Sequence, residues 1–87
     1  MSGAVKMSER ERKILGFLAE RYDPGMYVFF RTIARATKLN IIQVRRSVRS
    51  LKRKGLVDAS PVFDDDFRLA GSGHACTPAG KEALISP

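Results

Sequence analysis

The sequence predicts an α+β domain in which three helices are followed by a β-hairpin and a short C-terminal helix. Three observations predict it. Two segments open with helix-capping spacings, Ser8-Glu9-Arg10-Glu11 and Asn40-Ile41-Ile42-Gln43, each ahead of apolar residues at helical period. The period shortens after Leu56, where β-branched and aromatic residues flank an acidic turn. Thr77-Pro78 then pairs a capping residue with a proline at the first helical position.

Residues 1–7 carry no pattern and read as a flexible tail, with residues 8–87 as a single domain. In the first helix the Ser8 hydroxyl and the Glu11 carboxylate satisfy backbone N–H groups at its start. Ile14, Leu15, Phe17, Leu18 and Tyr22 form its apolar stripe, and Asp23-Pro24-Gly25 ends it. Met26-Tyr27-Val28-Phe29-Phe30 is short, aromatic and β-branched, and reads as a brief strand or extended segment. A short second helix covers Arg31 to Lys38, with Ile33, Ala34 and Thr37 at one-turn spacing, and Leu39-Asn40 closes it. Asn40 caps the third helix, which runs to Lys54 and stops at Gly55. Leu56, Val57, Val62 and Phe63 read as a strand, and Asp64-Asp65-Asp66 as a turn. Arg68 to Thr77 reads as the returning strand, kinked by a bulge at Gly71-Ser72-Gly73. The last helix extends from Pro78 to about Ile85.

The 87 residues bound the chain to one small domain whose core covers roughly 60 to 65% of the unfolded surface. A hydrophobic fraction of 44% with 29% charged residues is globular composition and excludes a collagenous, coiled-coil or wholly disordered chain. The single cysteine, Cys76, has no internal disulfide partner, in keeping with a reducing compartment. The longest apolar run, Met26 to Phe30, is far short of the roughly 18 residues that span a bilayer, and the N-terminus lacks the apolar core of a signal peptide. The chain reads as soluble and cytoplasmic, with no membrane partner.

Sixteen Lys and Arg stand against nine Asp and Glu, a net charge of +7, and the excess is local. Residues 31–54 hold nine basic side chains (Arg31, Arg35, Lys38, Arg45, Arg46, Arg49, Lys52, Arg53, Lys54) and no acidic one. Six are Arg, whose planar fork suits phosphates and guanine edges better than an ammonium does. With Ile42 set to zero at about 100° per residue, Val44, Val48 and Leu51 fall near 200°, 240° and 180°, and Arg46, Arg49 and Arg53 near 40°, 340° and 20°. One helix therefore turns hydrocarbon inward and guanidinium groups outward, with Gln43, Ser47 and Ser50 on one flank and Arg45 and Lys52 on the other. A solvated Arg-rich helix would carry Glu at i,i+4, and this segment has none.

His74 and Cys76 lie at i,i+2 on the returning strand. They fall short of the four ligands of a structural zinc site and have no third group to build a nucleophile pair. The chain has no P-loop, GxGxxG or HExxH, so no cofactor, metal or small-molecule substrate is expected, and the protein is read as not an enzyme.

A short helix, a turn at Leu39-Asn40, a basic helix ending Lys54-Gly55-Leu56-Val57, a hairpin and Cys76-Thr77-Pro78-Ala79-Gly80 occur here in that order. Together they resemble a winged helix-turn-helix domain. Ile33-Ala34 through Gly55-Leu56-Val57 is similar to the helix-turn-helix core of MarR-like bacterial regulators, and Thr77-Pro78-Ala79-Gly80-Lys81 resembles the segment that follows their wing. Short phage-encoded or mobile-element proteins look similar. The resemblance covers about residues 10–85. It implies that the third helix is the recognition helix, that Asp64 to Gly73 is the wing, and that the second helix approaches the phosphate backbone. The residues expected to touch double-stranded DNA are Arg31, Thr32 and Arg35, then Ile42, Gln43, Arg45, Arg46, Arg49, Ser50 and Arg53, and Arg68 in the wing. The resemblance also implies a homodimer, although the long terminal helices through which MarR-like proteins dimerise are missing. A wing tip of Asp64, Asp65 and Asp66 departs from the usual basic wing.

Two functions follow from this reading. One is sequence-specific double-stranded DNA binding by a small transcriptional regulator, with Asn40 to Lys54 in the major groove. The other is a winged-helix protein-interaction or architectural module of a recombination or replication nucleoprotein complex, which the acidic wing favours. RNA binding ranks third, because most Phe and Tyr residues fall at core-like positions rather than where bases could stack on them.

Overall fold

The computed structural model describes residues 6–20, 27–63 and 66–85. Its elements are α1 (Glu9–Glu20), α2 (Phe30–Thr37), α3 (Ile41–Arg53), β1 (Val57–Phe63), β2 (Leu69–Cys76) and α4 (Pro78–Ile85). The helix starts are set locally. Glu11 N–H donates to Ser8 Oγ at 3.1 Å while Ser8 N–H donates to Glu11 Oε1 at 2.9 Å, a closed capping box. Asn40 and Gln43 repeat the device at α3, with Gln43 N–H on Asn40 Oδ1 at 2.8 Å and Asn40 N–H on Gln43 Oε1 at 3.1 Å. Thr77 caps α4 by accepting from Gly80 N–H at 3.0 Å.

The turn between α2 and α3 is tight because Lys38 takes a left-handed conformation, φ 60°, and ends α2. Gly55, φ 78°, does the same after α3, where a residue without a Cβ enters that region without strain. β1 and β2 form a two-stranded antiparallel hairpin from Val57 opposite Cys76 to Phe63 opposite Leu69. The register slips between Val62 and Phe63, leaving Ala70 out of the pairing directly before Gly71. Thr77 ties the base of the hairpin to the end of α3. Its hydroxyl donates to the Gly55 carbonyl at 2.8 Å and its N–H to the Leu56 carbonyl at 3.0 Å.

The core lies where α1, α2 and α3 meet the hairpin base. Ile14, Leu15, Leu18, Ile33, Val44, Val48, Leu51, Leu56, Val57 and Cys76 are buried in one cluster. Gly80 sits so close to it that an added Cβ would collide with the Leu56 carbonyl oxygen, so the packing requires glycine at this position. The winged helix-turn-helix architecture read from the sequence is the one observed.

Some details refine the reading. Residues 27–29 are an extended segment, as expected, in which Val28 pairs by two 2.8 Å hydrogen bonds with His74 on the open edge of β2, and Phe30 already belongs to α2. Ser47, read as a flank of α3, is buried, because α3 is covered over a wider arc than Val44, Val48 and Leu51 mark. At the end of the N-terminal segment the Lys6 carbonyl accepts from Lys54 Nζ at 2.7 Å and Met7 packs on the core. The bulge falls one residue before the glycines to which it was assigned. Tyr22, the Asp23-Pro24-Gly25 turn, Met26, Asp64 and Asp65 lie outside the described residues.

Candidate nucleic-acid interface

The apolar residues of α3 fix which way its charges point. With Val44, Val48 and Leu51 sealed in the core, the opposite side of the cylinder must face solvent, and Ile42, Arg46, Arg49 and Arg53 are all exposed there. On the flanks, Arg45 and Lys52 are exposed, while Gln43 and Ser50 are half-buried and already engaged. Gln43 closes the capping box, and Ser50 hydrogen-bonds the Glu11 carboxylate. In α2, burial of Ile33 and Thr37 puts Arg31, Thr32 and Arg35 on the solvent side, with Arg31 and Arg35 one turn apart.

Of the nine basic residues in the block, Lys54 is paired, to Glu11 at 3.0 Å. The other eight form no ion pair with a described residue. Glu11 is buried, which alone would raise its pKa. The Ser8 backbone and the Ser50 and Lys54 side chains, together with the Lys54 charge, outweigh that and pull it down to about 2. This clamp joins the start of α1 to the end of α3 and fixes the angle at which α3 presents its outer face.

Arg45 is oriented differently. Its guanidinium carbon lies 5.9 Å from the centre of the Phe30 ring, and Phe30 stacks on His74 with centroids 4.3 Å apart. The stack ties the first half of α3 to the hairpin through one aromatic ring. His74 is buried with Nδ1 unpartnered, and burial pushes its pKa down, aided by the Lys52 charge and opposed by a hydrogen bond to the Val28 backbone. Cys76 is buried too, its thiol donating to the Thr77 carbonyl at 3.3 Å and its pKa raised by burial. Among the described residues no three His, Cys, Asp or Glu side chains gather as metal ligands, and no helix is long and apolar enough to cross a membrane.

The sequence reading did not single out the wing tip's apolar character. Phe67 is 88% exposed at φ 60° and Leu69 is 66% exposed, with Arg68 also exposed between them. The signal was present in Phe67-Arg68-Leu69, two large apolar residues directly beside an acidic run, where a turn tip is ordinarily polar.

Capped helices around a tight turn, a charged outward face on α3 and a hairpin anchored at its base define a winged helix-turn-helix domain. Solved structures share the fold. S. aureus MepR bound to ethidium bromide matches with a TM-score of 0.74 at 19% identity, covering 95% of this chain and 56% of MepR. Lactococcus lactis ZitR, a zinc-responsive MarR family member, matches with a TM-score of 0.74 at 19% identity, covering 97% and 52%. A variant of S. aureus MepR bound to an oligodeoxyribonucleotide matches with a TM-score of 0.69 at 21% identity, covering 91% and 54%. The chain thus spans about half the length of the structures it matches. No protein-family model matches the sequence, and no curated protein does.

Proposed function

We propose that the domain is a non-enzymatic transcriptional regulator that binds double-stranded DNA by placing α3 in the major groove. The observation that carries this reading is the outer face of α3, where Arg46, Arg49 and Arg53 stand opposite the buried stripe with no described carboxylate to neutralise them. The fold it shares with MarR-family regulators, among them a DNA-bound MepR variant, supports it. In this role Arg46 and Arg49 lie deepest in the groove and meet guanine edges, and Arg53, further along α3, meets backbone phosphate. Arg45, held over Phe30, grips phosphate from the flank, while Arg31, Thr32 and Arg35 approach the backbone from α2 and Arg68 from the wing. Gln43 and Ser50 hold the helix in place, and their contact to DNA is secondary.

The test is a pair of titrations per variant on a selected and a scrambled duplex at one fixed salt concentration. Arg46→Ala costs roughly 1 to 3 kcal/mol on the selected duplex and much less on the scrambled one, because a bidentate base contact is lost. Arg53→Ala weakens both about equally. A second reading, a protein-interaction or architectural module, is favoured by the exposed Phe67 and Leu69 at the wing tip. It replaces the first if Arg46→Ala and Arg53→Ala lower affinity alike on both duplexes.

A further inference from the structure

We infer that Ile42 is a specificity-determining residue that reads the 5-methyl group of a pyrimidine in the major groove; this rests on the DNA-binding reading of α3. The core does not need Ile42, because Val44, Val48 and Leu51 already fill the inward face, each at 1% exposure or less. Ile42 is instead 60% exposed in the first turn of α3, the turn that enters deepest when a helix docks in the groove. Its neighbours on that face are Arg46 one turn on and Arg49 two turns on, and Arg45 flanks it, so an uncharged branched hydrocarbon stands among guanidinium groups.

Isoleucine's side chain has no donor or acceptor, and phosphate oxygens, the deoxyribose ring oxygen and base heteroatoms gain nothing from it. The one apolar feature of a major-groove edge is the C5 methyl carried by thymine and by 5-methylcytosine. Side chains one helical turn apart are separated by about 5 to 6 Å, and base pairs rise by about 3.4 Å. A methyl read by Ile42 therefore lies about two base pairs from the guanine read by Arg46. The preferred site carries a thymine at that spacing from a guanine.

The full chain is used to select duplexes from a random pool, and affinity for the selected duplex is measured with each thymine replaced singly by deoxyuridine, which removes only the methyl. One thymine is expected whose replacement weakens binding by about fourfold, the value of one buried methyl-sized group. At that position 5-methylcytosine binds better than cytosine by a similar factor if the methyl alone is read, and no better if a thymine carbonyl is read, which overturns the inference. For Ile42→Ala, checked for an unchanged circular dichroism spectrum, thymine and deoxyuridine become equivalent there. Persistence of the thymine preference in that variant assigns the methyl to another residue and overturns the inference. If every deoxyuridine is neutral while the selected duplex still binds, the role of Ile42 falls and DNA binding stands. If no duplex is enriched and none binds, both fall together.

Discussion

Replacing Glu11 by Gln isolates the charge of the clamp between α1 and α3. Glutamine has the shape of the protonated acid and can still accept from Ser8 N–H, so its cost approximates the free energy of ionising Glu11 in the folded rather than the unfolded chain. That pKa falls from 4.5 to about 2 in the fold, with the Ser8, Ser50 and Lys54 hydrogen bonds and the Lys54 charge overcoming the desolvation of a side chain only 10% exposed. A shift of that size corresponds to about 3 kcal/mol, and the Gln variant should lose about 2 to 3 kcal/mol at pH 7. In a domain of this size such a loss lowers Tm by roughly 10 to 20 °C. The sign with pH follows from the depressed pKa. The stabilisation is complete above the unfolded value of 4.5 and is lost as pH falls toward about 2, so the gap between the two proteins should narrow to less than half by pH 3. Urea unfolding of both proteins at pH 7 and pH 3 reads this directly. A gap under about 0.5 kcal/mol at pH 7, or one equal at the two pH values, would refute the clamp.

The clamp also marks where sequence reading stops. The boxes of Ser8 with Glu11 and Asn40 with Gln43, and Thr77 as the cap ahead of Pro78, were legible because each device acts within three residues and depends only on local backbone geometry. The outward row Arg46, Arg49 and Arg53 followed from period alone, since Val44, Val48 and Leu51 leave one direction for the core. Lys54 was counted with the free cations because its partner lies 43 residues away, and no spacing rule connects them. Ser47 was misplaced because an angle on a wheel says nothing of how broadly neighbouring elements cover a helix. The Arg45–Phe30–His74 stack was equally hidden, since it needs Val28 paired to the hairpin edge before Phe30 can reach His74.

Two further expectations concern the hairpin and its base. Gly80→Ala should destabilise the fold by roughly 2 to 4 kcal/mol, because the new Cβ meets the Leu56 carbonyl and the Cys76 sulfur rather than the end of a flexible side chain; the thermal midpoint reads it, and an unchanged midpoint would contradict the packing described. Replacing Asp64, Asp65 and Asp66 together with Asn should leave duplex affinity unchanged or raise it, since carboxylates repel phosphates; loss of binding with the fold retained by circular dichroism would give the acidic run a direct part in DNA contact.

Salt dependence of duplex binding tests the central claim, that the outer face of α3 and its flanking cations grip a nucleic-acid backbone. Eight basic residues of the block are left once Lys54 is paired with Glu11. If about four to six of them meet phosphates, the logarithm of the binding constant should fall with the logarithm of salt concentration at a slope of roughly −4 to −5. A titration of the full chain on duplex DNA between low and physiological salt that gave this slope would support the account, and a slope near zero would contradict it.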